Sequence, residues 1–205
     1  KTVPQVNRVI VVGTRLQAGQ PQKKADGTVV RTMWGEIAWQ LGGKEGYKML
    51  KEADETATSP GDALQDLLKK YSPCLILIDE WVAYARQLSN DMNLPGGTFD
   101  THFTFAQTLT ETVKAIPTAL LVVSIPASDN EIGGERGKEA LTRLKNAVGR
   151  VHSPWRPAST EESFEIVRRR LFYKIAEGEN AHARDAVVHA FAELYRTQPQ
   201  EFPTS

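Results

Sequence analysis

Cysteine is almost missing from this chain: of 205 residues, only Cys74 is one. A lone thiol excludes a disulfide framework within the chain and excludes cysteine-based metal clusters, and it fits a cytoplasmic protein. Its place inside an apolar run marks it as a small core residue, not a nucleophile. Excess charge is missing too. Lysine plus arginine number 25 and aspartate plus glutamate 25, so the formal net charge is zero. That excludes a strongly basic nucleic-acid binder while leaving room for a local patch. No apolar run approaches the ~20 residues that cross a bilayer, so no membrane partner is expected. The N-terminus, Lys1-Thr2-Val3-Pro4, has no apolar signal region and no initiator methionine, which reads as a processed or truncated chain.

Several chemical signatures are absent as well. His102, His152, His182 and His189 show no metal-ligand spacing. There is no Gly-x-Ser-x-Gly elbow. No stretch reads Gly-x-x-x-x-Gly-Lys-[Ser/Thr], the loop that cradles nucleotide phosphates. The nearest approach, Gly133-Gly134-Glu135-Arg136-Gly137-Lys138-Glu139, has the wrong glycine spacing and puts a glutamate where a hydroxyl is needed.

What is present is a globular pattern, with 40% hydrophobic and 24% charged residues, enough for one sizeable core. Arg8-Val9-Ile10-Val11-Val12-Gly13, Cys74-Leu75-Ile76-Leu77-Ile78-Asp79 and the run 118–125 read as strands buried on both faces. Helical periodicity alternates with them. Thr32 caps a helix that Gly42-Gly43 ends, with Trp34, Ile37, Ala38 and Leu41 on one face. Ser59-Pro60-Gly61-Asp62 opens a second helix that buries Leu64, Leu67, Leu68 and Tyr71. Further helices are expected over 81–88, 100–115 and 136–148, and Arg150-Val151-His152 reads as a short last strand. Residues 14–31 form a long exposed loop. Ser159-Thr160-Glu161-Glu162 is a capping box opening a helix that buries Phe164, Val167, Leu171 and Phe172. A final helix, about 181–195, buries Val187, Val188, Phe191, Leu194 and Tyr195. The expected fold is α/β: a three-layer, mainly parallel sheet flanked by helices over residues 1–158, with a C-terminal helical lid-like segment over 159–205.

The central run ends abruptly in Asp79-Glu80. Carboxylates at the C-terminal tip of a parallel strand lie where open α/β sheets place their ligands. The pattern is that of a Walker B motif, with Asp79 to hold Mg²⁺ and Glu80 to orient the attacking water. Ser124, at the tip of the next strand, is the candidate for sensing a γ-phosphate, with Ser128 behind it. Arg143 and Arg150 fall on and just after the basic helix, where an arginine finger would stabilise charge on a transferring phosphoryl group; Arg150, at the end of the element, is the better candidate. Arg168-Arg169-Arg170 lies on the lid-like helix, and Arg170 is the candidate there for reaching nucleotide. The plain alternatives stay open: two solvated acids after a buried strand, ordinary polar residues at a strand end, and solvated arginines.

Thr32-Met33-Trp34-Gly35-Glu36-Ile37-Ala38-Trp39-Gln40-Leu41-Gly42-Gly43, then Leu75-Ile76-Leu77-Ile78-Asp79-Glu80 with Tyr84-Ala85-Arg86-Gln87-Leu88, then Arg169-Arg170-Leu171-Phe172, resemble the AAA+ ATPases grouped as "domain of unknown function 499". The resemblance covers about residues 8–175. It implies a large bacterial or archaeal P-loop ATPase, encoded among DNA methylases, helicases and phage-defence functions. Its cofactors would be Mg²⁺ and ATP, and its partners further copies of itself and DNA or a DNA-bound protein. In such proteins a Walker A segment precedes the strand at 8–13. The present sequence departs from the pattern by lacking it, so it is expected to be inactive alone and to leave a gap in the sheet. The rival expectation is a non-catalytic α/β binding or assembly module. A metal-dependent nuclease built on Asp79 and Glu80 lacks the further acids and lysine it needs.

Overall fold

A computed structural model describes residues 5–126, 134–149, 158–171 and 179–201. The chain divides into two compact units, Lys1–Ser153 and Pro154–Ser205. In chain order the first holds β1 (Asn7–Val12), β2 (Gln22–Lys23), β3 (Val29–Val30), α1 (Met33–Glu55), α2 (Asp62–Tyr71), β4 (Cys74–Asp79), α3 (Trp81–Ala85), α4 (Phe99–Ala115), β5 (Ala119–Val123) and α5 (Gly134–Gly149). β1, β4 and β5 form a parallel sheet in the order β1-β4-β5, with Val9 opposite Ile76 and Leu77 opposite Val122. The chain is therefore α/β with a three-stranded parallel sheet flanked by helices.

The expected third layer is not found among the described residues. α1 packs against β1 and α2, and α4 against α2, α5 and β5. These helices cover the face carrying Val9, Val11, Cys74, Ile76 and Ile78, all buried. On the opposite face Ile10 is 57% exposed, Leu120 58% and Val122 42%, and Leu75 and Leu77 are only half-buried. Burial of β4 thus alternates along the strand instead of running continuously. The two edges also differ. Gln40 closes that of β1 with two hydrogen bonds: the Ile10 N–H donates to its Oε1 at 2.8 Å and its Nε2 donates to the Ile10 carbonyl at 2.9 Å. β5 pairs with β4 alone among the described residues.

α1 does not stop at Gly42-Gly43. Gly43, at φ 56° and ψ −142°, takes a backbone conformation that L-residues avoid, so the chain kinks there and the helix resumes to Glu55. The resumed half brings Asp54 back to the start of the same helix. Asp54 is fully buried. It accepts from the Thr32 N–H at 2.8 Å, the Thr32 hydroxyl at 2.6 Å, the Arg31 N–H at 3.1 Å and the Tyr47 hydroxyl at 2.8 Å. Burial, and then Asp54 beside it, push the Tyr47 hydroxyl pKa up. Thr32 caps the helix as expected, its hydroxyl accepting from the Gly35 N–H at 3.0 Å. The second helix starts later than expected: Gly61, at φ 51°, precedes Asp62, and among the described residues no side chain caps it. Residues 14–31 are not simply an exposed loop. The β2–β3 hairpin is pinned to α1 by a Lys24–Glu36 ion pair at 2.5 Å and by the Trp39 indole N–H donating to Asp26 at 3.0 Å.

The second unit contributes α6 (Thr160–Leu171) and α7 (Glu179–Thr197). The capping box forms as expected: the Glu162 N–H donates to Ser159 Oγ at 3.2 Å, and the Ser159 N–H donates to Glu162 Oε2 at 2.8 Å. Burial of the apolar stripes is corrected. Phe164, Val167 and Leu171 on α6, and Val187, Val188, Phe191, Leu194 and Tyr195 on α7, are exposed. Periodicity marks an apolar stripe but supplies no surface to cover it. Phe172 and the expected strand 150–152 lie outside the described residues. Among the described residues no helix is long and apolar enough to cross a membrane.

Candidate functional site

Parallel strands all release their chains at the same edge of the sheet. Val12 is opposite Asp79, and Ile78 is opposite Val123. The residues that follow, Gly13-Thr14, Glu80 and Ser124, therefore emerge side by side at the C-terminal edge. A chain of hydrogen bonds joins them. The Thr14 hydroxyl donates to Glu80 Oε2 at 2.5 Å. The Glu80 N–H donates both to Asp79 Oδ1 at 3.1 Å and to Ser124 Oγ at 3.0 Å. The Ser124 hydroxyl in turn donates to Asp79 Oδ1. Asp79 is half-buried and the other three are exposed, so the constellation is anchored in the sheet and open to solvent.

Glu80 is held in an unusual backbone conformation. Its φ of 52° and ψ of 39° lie in the left-handed region, and it forms the N-cap of α3. Its carbonyl accepts from the Ala83 N–H at 2.9 Å. Gly13 lies directly beneath: a Cβ there would stand 2.1 Å from the Glu80 carbonyl oxygen, so only glycine lets β1 end so close to β4. The next residue, Trp81, is fully buried, and its indole N–H donates to His102 Nε2 on α4 at 2.7 Å. Burial lowers the His102 pKa to about 3, so the imidazole is neutral.

The donors at this edge are all oxygens, one half-buried carboxylate among them, and such a set suits a hard cation such as Mg²⁺. Among the described residues no group of three or more His, Cys, Asp or Glu side chains could hold a metal. Mg²⁺ keeps waters and substrate phosphates as ligands and does not need such a group.

Asp79, Glu80 and Ser124, singled out in the sequence, are thus brought together. Arg143 is not among them. Its guanidinium pairs with Asp100 at 2.5 Å, lies 3.9 Å from Glu139, and sits over the Phe99 and Phe103 rings at 5.1 and 4.6 Å, tying α5 to the start of α4. Arg170 is an exposed residue of α6 in the second unit. Arg150 and Ser128 lie outside the described residues. Thr14 is the member that sequence reasoning missed. It is the first side chain after β1, because Gly13 between them carries none.

The family model described as DUF499 N-terminal domain matches residues 2–155. No curated protein and no solved structure matches the chain.

Proposed function

The chain belongs to the DUF499 family, residues 2–155 matching its N-terminal domain, and from that premise we propose that the α/β unit is the Walker B and sensor portion of an AAA+-type ATPase. Mg²⁺-ATP hydrolysis would drive remodelling of a partner, DNA or a DNA-bound complex. The observation that carries this reading is the hydrogen-bonded chain Thr14–Glu80–Ser124–Asp79 at the C-terminal edge of a parallel sheet, the place where open α/β sheets bind ligands. Asp79 would hold Mg²⁺, which neutralises phosphate charge when bound. Glu80 orients the attacking water, Ser124 meets the γ-phosphate, and Thr14 holds the Glu80 carboxylate against β1. Arg150 would act across an interface between copies.

The phosphate loop that this reading requires is not in the sequence, so other polypeptide has to provide it. Among the described residues β5 pairs with β4 alone, which favours a further strand at that edge, and the open apolar face around Leu77 and Val122 favours a covering layer. The test is ATP turnover by the natural polypeptide carrying these residues. Glu80→Gln should lower turnover by about 10²–10⁴-fold while retaining bound ATP; unchanged turnover would sink the assignment.

The second reading, a non-catalytic assembly module, draws on one observation: Asp79 Oδ1 is already engaged by two donors within the chain. If Asp79 only ties β4 to β5, Asp79→Asn should destabilise the unit and leave nucleotide binding by the natural polypeptide untouched.

A further inference from the structure

We propose that His102 is a positioning residue for Glu80, acting through Trp81. Two local inconsistencies meet at Trp81. The first is the Glu80 backbone. Glu80 and Ala57 are the two non-glycine residues at positive φ among those described, and the left-handed region is disfavoured by roughly 5- to 30-fold for an L-residue. Such a conformation persists only where the surroundings over-determine it. The second is His102 itself. It is fully buried among Trp81, Tyr84, Phe103 and Phe105. Its Nε2 accepts the Trp81 indole N–H, so the ring proton sits on Nδ1. Nδ1 is buried with no hydrogen-bond partner among the described residues. An unpaired buried N–H is costly, and a phenylalanine would fill this aromatic cluster without it. What the imidazole supplies and a phenyl ring cannot is an acceptor for Trp81.

That acceptor fixes the residue immediately after Glu80. Trp81 anchored on α4, Gly13 packed under the Glu80 carbonyl and the Ala83 N–H donating to that carbonyl hold the turn from three sides. His102 bonds Trp81, not Glu80, so its influence on the carboxylate passes through the backbone. The consequence for catalysis rests on the reading of Glu80 given above; the clamp itself does not.

The test is a mutant cycle on this chain, read by urea unfolding. Glycine adopts φ 52° without strain, so Glu80→Gly should raise the folding equilibrium constant about five-fold in the wild-type background. In a His102→Phe background the turn is released and that gain should vanish. Trp81→Phe, which removes the indole N–H from the other side, should abolish it equally and keeps the test decisive if His102→Phe does not fold. His102→Gln offers an amide oxygen to Trp81 and should restore part of the gain. An equal gain in every background, or none in the wild type, overturns the proposal. ATP turnover of the natural polypeptide is measured in parallel. Coupling without turnover leaves the clamp standing and removes the ATPase reading; turnover without coupling removes the clamp alone.

Discussion

Gly13→Ala puts one methyl group at the base of the site, and its effect follows from distances. The added Cβ would lie 2.1 Å from the Glu80 carbonyl oxygen, 2.8 Å from its carbon and 3.2 Å from the Tyr84 nitrogen, all backbone atoms. An ordinary carbon–oxygen contact is about 3.3 Å, so the end of β1 and the start of α3 must separate by about 1.2 Å. No side chain can rotate away to absorb this. Overpacking that forces backbone shifts costs about 1–3 kcal/mol. The same movement carries Thr14 away from Glu80, to which it donates at 2.5 Å. Urea unfolding of the chain, followed by tryptophan fluorescence, measures the loss. Gly19→Ala is the control, since no atom of the described residues lies within 4 Å of a Cβ there, and it should fall within about 0.5 kcal/mol of wild type. If Gly13→Ala unfolds at the same midpoint as Gly19→Ala, the close approach of β1 to Glu80 is refuted.

Three further outcomes follow from the same geometry. Asp54→Ala strips a fully buried acceptor from the Thr32, Arg31 and Tyr47 donors; it should cost about 3–5 kcal/mol in urea unfolding, and a loss under 1 kcal/mol would contradict the buried node. His102 titrates near 3 when folded and near 6.5 when unfolded, so the unfolded chain takes up the proton first. Stability is then full above about pH 6.5 and falls by up to about 1.4 kcal/mol per pH unit as pH drops from there towards 3; His102→Phe should flatten that part of the profile. Leu120→Ser, on the open face, should change stability by less than about 0.5 kcal/mol, whereas Ile76→Ala, on the covered face, should cost about 2–5 kcal/mol; equal losses would mean that both faces are packed.

Much of this was legible in the sequence. The three strands announce themselves as β-branched and aliphatic runs, and Thr32 and Ser159 sit where helices start. Asp79, Glu80 and Ser124 could be singled out because parallel strands release their chains at one edge. The misreadings have physical causes. Gly42-Gly43 looked like a stop, yet Gly43 absorbs a kink and the helix continues; Tyr47, Leu50 and Asp54 carried the helical spacing of the second half. The run Leu75-Ile76-Leu77 encodes burial on both faces, while the described residues cover only one. The apolar stripes of α6 and α7 carry the periodicity of buried helices, yet nothing in the sequence specifies a cover for them. Thr14 was overlooked because a hydroxyl in a polar loop carries no periodicity; only the approach of β1 to β4 reveals its partner.

The most direct test of the central claim is paramagnetic NMR of the natural polypeptide carrying these residues, with Mn²⁺-ATP in place of Mg²⁺-ATP. The expected result is selective broadening at Thr14, Asp79, Glu80 and Ser124, diminished in Asp79→Asn. Broadening centred elsewhere, or none at a concentration that saturates ATP binding, would contradict the assignment of this sheet edge as the nucleotide–metal site.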